Sequence, residues 1–362
     1  MMDTALKEDI GVGRPNAASR PPRIFLVGYE RVTDSFEWHI LESLKNLRCE
    51  TGFFATQAAS ATMPRVLDMA FRKARNLLLR EPERLFESRL LRAVDEFQPS
   101  LLLVVQGNQL SPKTIRRLRS VSKTPMVCWC QDAMTSLGRQ FFLGSEYDAV
   151  FVKDRYMQDL FSRMIKSTSF YYLPEACNPR VHRSVELTLE DQQRYGCDVM
   201  IAGTLYYYRQ EILRQLADFD LKVWGVRPDW LLNRLDRRHG GKMIFAEEKA
   251  LAMSTARICL NTLHYGEVNG LNCRAFEIAG CGGFQLITSV PVLSSHFDVG
   301  TEVVEFRSTE QLVELIRYYL DQPELAAKIA RQGQVRAHRD HTYEHRLKEL
   351  LRVSLGYAAI DA

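Results

Sequence analysis

The sequence predicts an α/β protein built from two doubly wound, Rossmann-like units. Three observations predict it: short uninterrupted apolar segments, helical periodicity between those segments, and a length of 362 residues, which is long for a single core. Short apolar runs without alternation are typical of strands that are buried on both faces of a parallel sheet. Their alternation with helices indicates sheets that helices cover on both sides.

The first unit is predicted from a series of apolar segments that alternates with helical patterns. The segments lie at 23–28, 101–105, 126–130, 148–152 and 170–173. Between them, Ile40, Leu41 and Leu44 recur at helical spacing, and Ser111-Pro112 is a start signal for another helix. We therefore expect strands and helices to alternate over this half of the chain.

The second unit is predicted in the same way. Its apolar segments lie at 198–203, 221–225, 257–261, 283–288 and 303–306. Leu312, Leu315 and Ile316 follow the spacing of one helix face. A further helix is expected to begin after Asp321 and to end at Gly333, because glycine is the commonest residue just beyond a helix end.

The domain organisation follows from these two series. The predicted parts of the chain are a disordered leader over 1–21, an N-terminal acceptor domain over 22–173, a linker over 174–197, a C-terminal nucleotide-sugar domain over 198–340, and a C-terminal helix over 341–362 that can return to the N-terminal domain. The linker is assigned because 174–197 is polar and lacks a strong period.

Composition and charge exclude several classes of protein. The net charge of +4 is the small difference between 48 basic and 44 acidic residues, so neither a nucleic-acid partner nor a membrane surface is predicted. No apolar run reaches the length of a transmembrane segment, and the N-terminus does not resemble a signal peptide, so a cytoplasmic location is expected. The eight cysteines lack zinc-site spacing, and no metal is predicted. The oligomeric state is not predicted.

Candidate functional residues are sought in the loops that follow strands, because ligands of doubly wound sheets bind beyond the carboxyl ends of the strands. In the first unit, Glu30, Asn108 and Asp132 follow strands and can face a cleft. Asp132 is the candidate general base. It can equally cap the N-terminus of a helix, a position that aspartate fills well.

The segment 269–289 places two opposite charges in an otherwise small or apolar helix. The helix is predicted to begin near 270–273, where free backbone N–H groups favour an anion. Arg274 and Glu277 then lie on neighbouring turns of one face. They can serve a ligand, or they can neutralise each other as an ion pair.

Several segments of the chain resemble one enzyme family. They read YDAVFVKDRYMQDLF, YLPEACNPRVH, DVMIAGTLYYYRQEIL and NCRAFEIAGCGGFQLIT, in that order. This series is similar to the CgeB-like group, named after a spore-maturation protein, of GT-B glycosyltransferases. The resemblance covers most of the chain and is strongest from about residue 170 onward.

The resemblance implies where a nucleotide-sugar donor would bind. Glu277, in a segment that matches the family's E-A-x-A-x-G motif, would accept hydrogen bonds from the ribose hydroxyls, while Arg209 and Arg274 would bind the diphosphate and stabilise it as it leaves. The complete implied donor site consists of Gly203, Arg209, Trp224, Gly225, Phe245, Ala246, Asn269, Gly270, Leu271, Asn272, Arg274 and Glu277.

One departure from the family motif and the residues around the motif limit what the resemblance implies. Relatives carry a glutamate near the donor sugar, and Asn269 stands at that position here, with Glu267 two residues before it. This puts the identity of the donor in doubt. Trp224 can belong to the core instead of the site. His264 and His296, in neighbouring loops, can touch the sugar or the phosphates, or they can be structural or exposed.

The resemblance therefore implies a hexosyltransferase that moves a sugar from a nucleotide-diphosphate donor, with a UDP-sugar favoured, to a glycan, protein or small-molecule acceptor. It implies retention of configuration, and it implies that neither a metal nor a cofactor is needed, because two arginines would offset the diphosphate charge. Two alternatives stay open: a binding protein on the same fold without turnover, and a nucleotide-sugar epimerase.

Overall fold

The computed structural model of the chain describes residues 21–29, 32–56, 82–105, 110–133, 135, 140–225, 238 and 240–356. Within these residues the chain forms two separate parallel sheets with helices packed against them, which confirms the predicted fold class. No described helix is both long and apolar enough to cross a membrane.

The first sheet has six strands in the order β2-β1-β3-β4-β5-β6, and all neighbouring strands are parallel. The strands are β1 (Arg23–Gly28), β2 (Glu50–Ala55), β3 (Leu101–Val105), β4 (Met126–Cys130), β5 (Ala149–Val152) and β6 (Ser169–Tyr172). The helices of this unit are α1 (Phe36–Asn46), α2 (Pro82–Phe97), α3 (Pro112–Val121) and α4 (Arg155–Met164).

Strand β2 was not predicted from the sequence. It lies at the edge of the first sheet, and only one of its six residues is buried. An edge strand covered on one side needs no continuous apolar run. By contrast, β3, β4 and β5, which were predicted, are buried at every residue.

The second sheet has five parallel strands in the order β11-β10-β9-β7-β8. The strands are β7 (Val199–Ala202), β8 (Leu221–Trp224), β9 (Ile258–Asn261), β10 (Gln285–Thr288) and β11 (Val304–Phe306). The helices from the linker onward are α5 (Leu189–Tyr195), α6 (Tyr207–Arg214), α7 (Ala246–Thr255), α8 (Cys273–Gly280), α9 (Thr309–Leu320), α10 (Pro323–Asp340) and α11 (Tyr343–Leu355).

Helix α10 passes through the glycine at which it was predicted to end. Gly333 is buried in the middle of α10, and the helix continues to Asp340. A side-chain carbon at this position would collide with the backbone carbonyl of Glu302. The glycine therefore permits a close approach between α10 and the loop before β11, and the predicted helix end is wrong.

Helix α11 returns to the first unit. Leu347, Leu350 and Leu351 belong to the same buried cluster as Ile40 and Leu44 of α1. The chain thus crosses between the units twice, once in the linker and once between α10 and α11. The two crossings are joined by backbone hydrogen bonds: Cys177 N–H donates to His341 O at 2.9 Å, and Tyr343 N–H donates to Cys177 O at 3.1 Å.

We predict that replacing Gly333 with alanine destabilises the protein, although alanine is the better helix former. The helical preference favours alanine by about 1 kcal/mol. The collision with the Glu302 carbonyl costs about 1–3 kcal/mol, since backbone cannot move aside as a side chain can. We expect a lower free energy of unfolding in urea for Gly333→Ala. Gln332→Ala, at an exposed neighbour on the same helix, is the control and should change it by less than about 0.5 kcal/mol.

Candidate active site

A cavity of about 170 Å³ lies between the carboxyl ends of the two sheets. It is lined by Gln131, Asp132, Ala133, Lys153, Glu175, Tyr206, Arg209, His264, Glu267, Asn272, Cys273 and Arg274. The first five follow strands β4, β5 and β6, and the others follow β7 and β9 or begin α8. The cavity therefore occupies the place where ligands of doubly wound sheets bind, and it brings together the three predicted catalytic residues Asp132, Arg209 and Arg274.

Arg209 is almost completely buried at the second-unit side of the cavity. Its guanidinium donates to Thr262 Oγ1 at 2.7 Å, to Thr262 O at 2.8 Å and to Thr204 O. All three acceptors are uncharged. Burial and the nearby positive charge of Arg274 lower the pKa of Arg209 to about 9.

Arg274 lies beside Arg209 and packs on Gly203. Gly203 has a φ of +120°, and a side-chain carbon there would collide with the Arg274 guanidinium. Among the described residues, the Arg274 side chain has neither a hydrogen bond nor an ion pair. In particular, it does not pair with Glu277, so the alternative of a self-neutralising pair is not observed.

The two arginines thus bring two positive charges to one wall of the cavity, and no described carboxylate lies within ion-pair distance of either. Guanidinium groups match the geometry of phosphate and carboxylate oxygens. Since like charges repel, the arrangement is most favourable when an anion lies between them. The chemistry of this wall is that of an anion site.

Lys153, in contrast, is neutralised by carboxylates from both units. Its Nζ lies 2.6 Å from Glu267 Oε1 and 3.5 Å from Glu175 Oε2, and all three side chains are at least nine-tenths buried. Burial alone would lower the pKa of Lys153, but the two carboxylates hold it well above its usual value. Burial raises the pKa of Glu175 to about 7 against the attraction of Lys153. The other oxygen of Glu267, Oε2, is buried and has no hydrogen-bond partner within the described part of the chain.

Asp132 follows β4 and reaches the cavity from the first unit. Burial raises the pKa of its carboxyl, Lys153 counteracts that rise, and Glu267 adds to it. A carboxyl with a raised pKa in a cleft can accept a proton from a hydroxyl more readily than an exposed aspartate can.

A buried charged cluster beside the cavity joins the two units through Asp34, which precedes α1. Its side chain is fully buried, with Oδ1 at 3.0 Å from His39 Nε2 and 3.2 Å from His182 Nε2. Its Oδ2 accepts from Lys249 Nζ at 2.8 Å and from the Ala246 N–H at 2.8 Å, both on α7 of the second unit. Although burial opposes the charged form, these partners lower the pKa of Asp34.

Glu277 belongs to the same cluster. Its Oε1 lies 2.8 Å from Lys249 Nζ and 3.7 Å from His182 Nε2. Burial raises the pKa of Glu277, but Lys249 and His182 lower it further than burial raises it. The ammonium group of Lys249 therefore forms ion pairs with the carboxylates of both Asp34 and Glu277.

The side chains of Asp34, His39, His182 and Glu277 offer metal-ligand atoms that all lie within 4.8 Å of one another. Lys249 Nζ contacts both carboxylates of this group and supplies the positive charge that a metal ion would supply. The set as it stands does not fit a metal. The chain also holds one Asp-x-Asp sequence at 218–220, but it lies before β8, at the edge of the sheet away from the cavity.

The predicted donor residues near the start of α8 serve several local roles. Asn272 caps α8 by accepting from the Ala275 N–H, and it lines the cavity. Asn269 is not among the lining residues, because its Oδ1 accepts from the Val292 N–H at 2.8 Å. Gly270 packs against Lys153 and Asp154, where a side chain would collide, and Leu271 is fully buried in the core.

The residues predicted to wall the base pocket surround α7 and β8. Trp224 is buried in a hydrophobic cluster and does not line the cavity. Gly225 packs on the backbone of Gly203, where a side chain would collide. Phe245 is 46% exposed and precedes Ala246, the first residue of α7.

The remaining predicted residues lie in loops. Glu30 and Asn108 lie outside the described residues. His264 lines the cavity, whereas His296 is buried and lies 2.7 Å from the Tyr172 hydroxyl.

Sequence reasoning missed Lys153, Glu175, Asp34 and Lys249. A signal existed for the first two, because Lys153 directly follows β5 and Glu175 comes shortly after β6. These two loops carry charges at carboxyl ends of strands, as the loop after β4 does. No comparable signal marks Asp34 or Lys249, which meet only through the packing of the two units.

Comparison with known proteins agrees with this architecture. Residues 209–352 match a family model described as glycosyl transferase-like. No curated protein sequence matches the chain. Among solved structures, the chain is similar to sucrose-phosphate synthase from Thermosynechococcus elongatus, with a TM-score of 0.65, 12% identity, and coverage of 92% of this chain and 98% of that one.

Two further structures show the same similarity. HepE of Anabaena, solved in complex with UDP and glucose, has a TM-score of 0.63 and 10% identity, with coverage of 93% of this chain and 100% of that one. A glycosyltransferase from Rickettsia africae has a TM-score of 0.61 and 9% identity, with coverage of 93% and 98%. The two-domain architecture of this chain is thus the GT-B fold.

We predict that replacing Lys249 with methionine strongly destabilises the protein. The change removes the one cation between two buried carboxylates, and breaking such a pair costs about 3–5 kcal/mol. The control is Lys242→Met, since Lys242 lies 2.8 Å from Glu248 but is half exposed, and such pairs contribute about 0–1 kcal/mol. Urea unfolding of both variants tests this, and equal losses would contradict it.

We also predict that stability decreases as the pH falls below about 6.5. Burial lowers the pKa of His182 and His341 to about 4 and that of His296 to about 3. The unfolded chain, with histidine pKa values near 6.5, therefore binds protons that the folded protein does not bind, and stability is lost from about pH 6.5 toward 4.

Glu175 and Asp132, with raised pKa values, act in the opposite direction. Burial also lowers the pKa of His264 and His345, so five histidines oppose these two carboxyls. Urea unfolding at pH 7.5, 6.0 and 5.0 measures the net effect. A constant or rising free energy of unfolding over this range would show that the histidines are not held neutral.

Proposed function

We propose that the protein is a glycosyltransferase that takes a sugar from a nucleotide-diphosphate donor. The observation that carries this proposal is the pair Arg209 and Arg274, two cations without a described carboxylate partner in the cleft of a GT-B fold. A diphosphate between them would receive hydrogen bonds and offset the repulsion of their charges. The similarity of residues 209–352 to glycosyl transferase-like proteins supports the same assignment.

The order of contacts along the second unit supports a proposed position for the donor. Arg274 packs on Gly203, and Gly203 packs on Gly225, so both glycines permit the close packing that holds Arg274 at the cavity. We place the diphosphate at the arginines, the ribose at Glu277 and the base near Gly225, Phe245 and Ala246. UDP is the nucleotide we favour, since the structurally similar HepE binds UDP and glucose.

Glu267 is the residue we assign to the donor sugar. It lines the cavity, and its carboxylate oxygen Oε2 has no partner among the residues that the structure describes. The Asn269 side chain, in contrast, accepts a hydrogen bond from the Val292 N–H. An unpaired buried acceptor is costly, and a sugar hydroxyl can satisfy it. Glu267 would thus supply the carboxylate that relatives carry at the position of Asn269.

The proposed reaction joins an acceptor hydroxyl oxygen to the anomeric carbon of the donor. The bond between that carbon and the diphosphate oxygen breaks, and its electron pair leaves with the nucleoside diphosphate. Arg209 and Arg274 stabilise the departing charge without a metal. The acceptor proton passes to the Asp132 carboxylate, whose raised pKa suits it as a base. Retention of configuration and membership of the CgeB-like group are part of this proposal.

The size of the cavity sets a condition on the proposal. Its volume of about 170 Å³ is below the range of about 300–1,000 Å³ that is usual for ligand sites. A whole nucleotide sugar fits only if the two units move apart. The contact of Asp34 with the Ala246 N–H lies where we place the nucleoside, so opening the cleft would break it.

One alternative is a protein that binds the nucleotide without turnover. The pairing of Glu277 with Lys249 favours it, because a carboxylate already neutralised by lysine binds ribose less strongly. Measuring donor hydrolysis and transfer separates the two functions: nucleotide binding without either reaction would support the binding protein.

We predict that UDP raises the thermal unfolding temperature of the protein and that Arg274→Gln removes about half of this shift or more. At about 100 times its dissociation constant, a ligand adds about 2.7 kcal/mol of stability. Losing one guanidinium–phosphate contact should weaken binding about tenfold or more. Arg307→Gln, which changes an exposed arginine of the same unit, is the control and should keep the full shift. The proposal fails if no nucleoside diphosphate shifts the unfolding of the wild-type protein.

A further inference from the structure

A chain of four aromatic rings borders the mouth of the cavity. The ring of Tyr206 contacts His264 edge to face at a centroid distance of 4.7 Å, and His264 contacts Tyr265 at 4.1 Å. Tyr265 in turn contacts Tyr208 edge to face at 6.3 Å. We call these four side chains the aromatic rim. They come from two segments, the start of α6 and the loop after β9.

The rim is unusually exposed for a group of large rings. Tyr206 is 38% exposed, Tyr208 is 47% exposed and Tyr265 is 67% exposed. Single exposed aromatic residues are common, but contiguous apolar surface of this kind marks binding sites. Tyrosine suits such a site because its ring is apolar and its hydroxyl is polar.

The rim continues into the proposed donor site. Tyr206 and His264 line the cavity, and the Arg209 guanidinium lies 5.8 Å from the centre of the Tyr206 ring. Glu267, which we assign to the donor sugar, lies three residues after His264. A molecule on the rim would therefore have its near end beside the reacting carbon and the rest of its length on exposed tyrosine.

The charge of the rim indicates what kind of molecule it takes. Each of the three tyrosines contributes a ring face and a hydroxyl group. His264 Nδ1 accepts from the Gly266 N–H at 3.0 Å, so Nε2 bears the ring proton, and it has no hydrogen-bond acceptor among the described residues. Burial also lowers the pKa of His264, which favours the neutral ring. The rim combines ring faces, hydroxyls and one N–H donor, and none of its four side chains is a lysine or an arginine.

From this geometry we propose that the aromatic rim is the part of the acceptor subsite that the second unit contributes, and that its ligand is a neutral saccharide, whose sugar rings pack on Tyr265 and Tyr208. A saccharide presents apolar C–H faces to the rings and hydroxyls to the polar groups at their edges. The inference deepens the proposed function and rests on it, because only a transferase has an acceptor. The binding of a saccharide can nevertheless be measured independently of transfer.

The test is isothermal titration of the full chain with three trisaccharides, maltotriose, cellotriose and triacetylchitotriose, with and without saturating UDP. We expect at least one to bind the wild-type protein. Tyr265→Ala should weaken that binding about fivefold or more, the scale of one lost aromatic contact. Tyr265→Phe should keep it, because the ring is retained.

The matched control is Tyr318→Ala. Tyr318 is 53% exposed and contacts Tyr319 edge to face at 5.0 Å, but it lies on α9, away from the cavity. This variant should bind the trisaccharide as the wild-type protein does. All variants should bind UDP unchanged, which shows that they are folded.

Several outcomes would overturn the inference. The inference fails if no trisaccharide binds the wild-type protein. It also fails if Tyr265→Ala and Tyr318→Ala bind a trisaccharide equally well. Binding of farnesyl phosphate that Tyr265→Ala weakens, without binding of any trisaccharide, would assign the rim to a lipid instead. If UDP fails to bind while a trisaccharide binds and depends on Tyr265, the proposed function fails and the rim is still a saccharide surface.

Discussion

The packing of the first unit against the second includes a buried carboxylate, that of Asp34. Asp34 belongs to the first unit, but two of its four hydrogen-bond partners, Lys249 and the Ala246 N–H, belong to the second. Its backbone has a φ of +70°, a conformation that few residues other than glycine adopt. Since a buried charge without partners costs several kcal/mol, the folded chain keeps Asp34, Lys249 and Glu277 together.

The lysines and the arginines between the two units differ in their partners. Lys249 and Lys153 each pair with two carboxylates, and these pairs stabilise the junction between the two units. The carboxylates offset the positive charge of both lysines, so neither attracts an anionic ligand strongly. Arg209 is held by uncharged oxygens, and Arg274 rests on a glycine. The positive potential of the cleft therefore comes from the arginines. The lysines are paired with carboxylates and form a structural junction, whereas the arginines have no described carboxylate partner and can bind an anion.

The sequence predicted those parts of the structure that local patterns determine. Continuous apolar runs marked the buried strands, whereas β2, at a half-covered edge, had no such run. Helical spacing placed Arg274 and Glu277 on one helix, but not their partners, because Gly203 and Lys249 are distant in the chain. Gly333 shows the same limit: a glycine can end a helix or admit a close neighbour, and only the position of Glu302 decides which.

The paired crossings of the chain also define how the units can move. The linker and the α10–α11 junction run side by side, joined by the hydrogen bonds of Cys177 with His341 and Tyr343. Two adjacent, hydrogen-bonded connections resist sliding and twisting, whereas a single flexible tether would permit both. The motion that these two connections still permit is a hinge rotation of one unit against the other, about an axis through the pair. Separation of the sheets would then be greatest at the side of the cleft farthest from that axis.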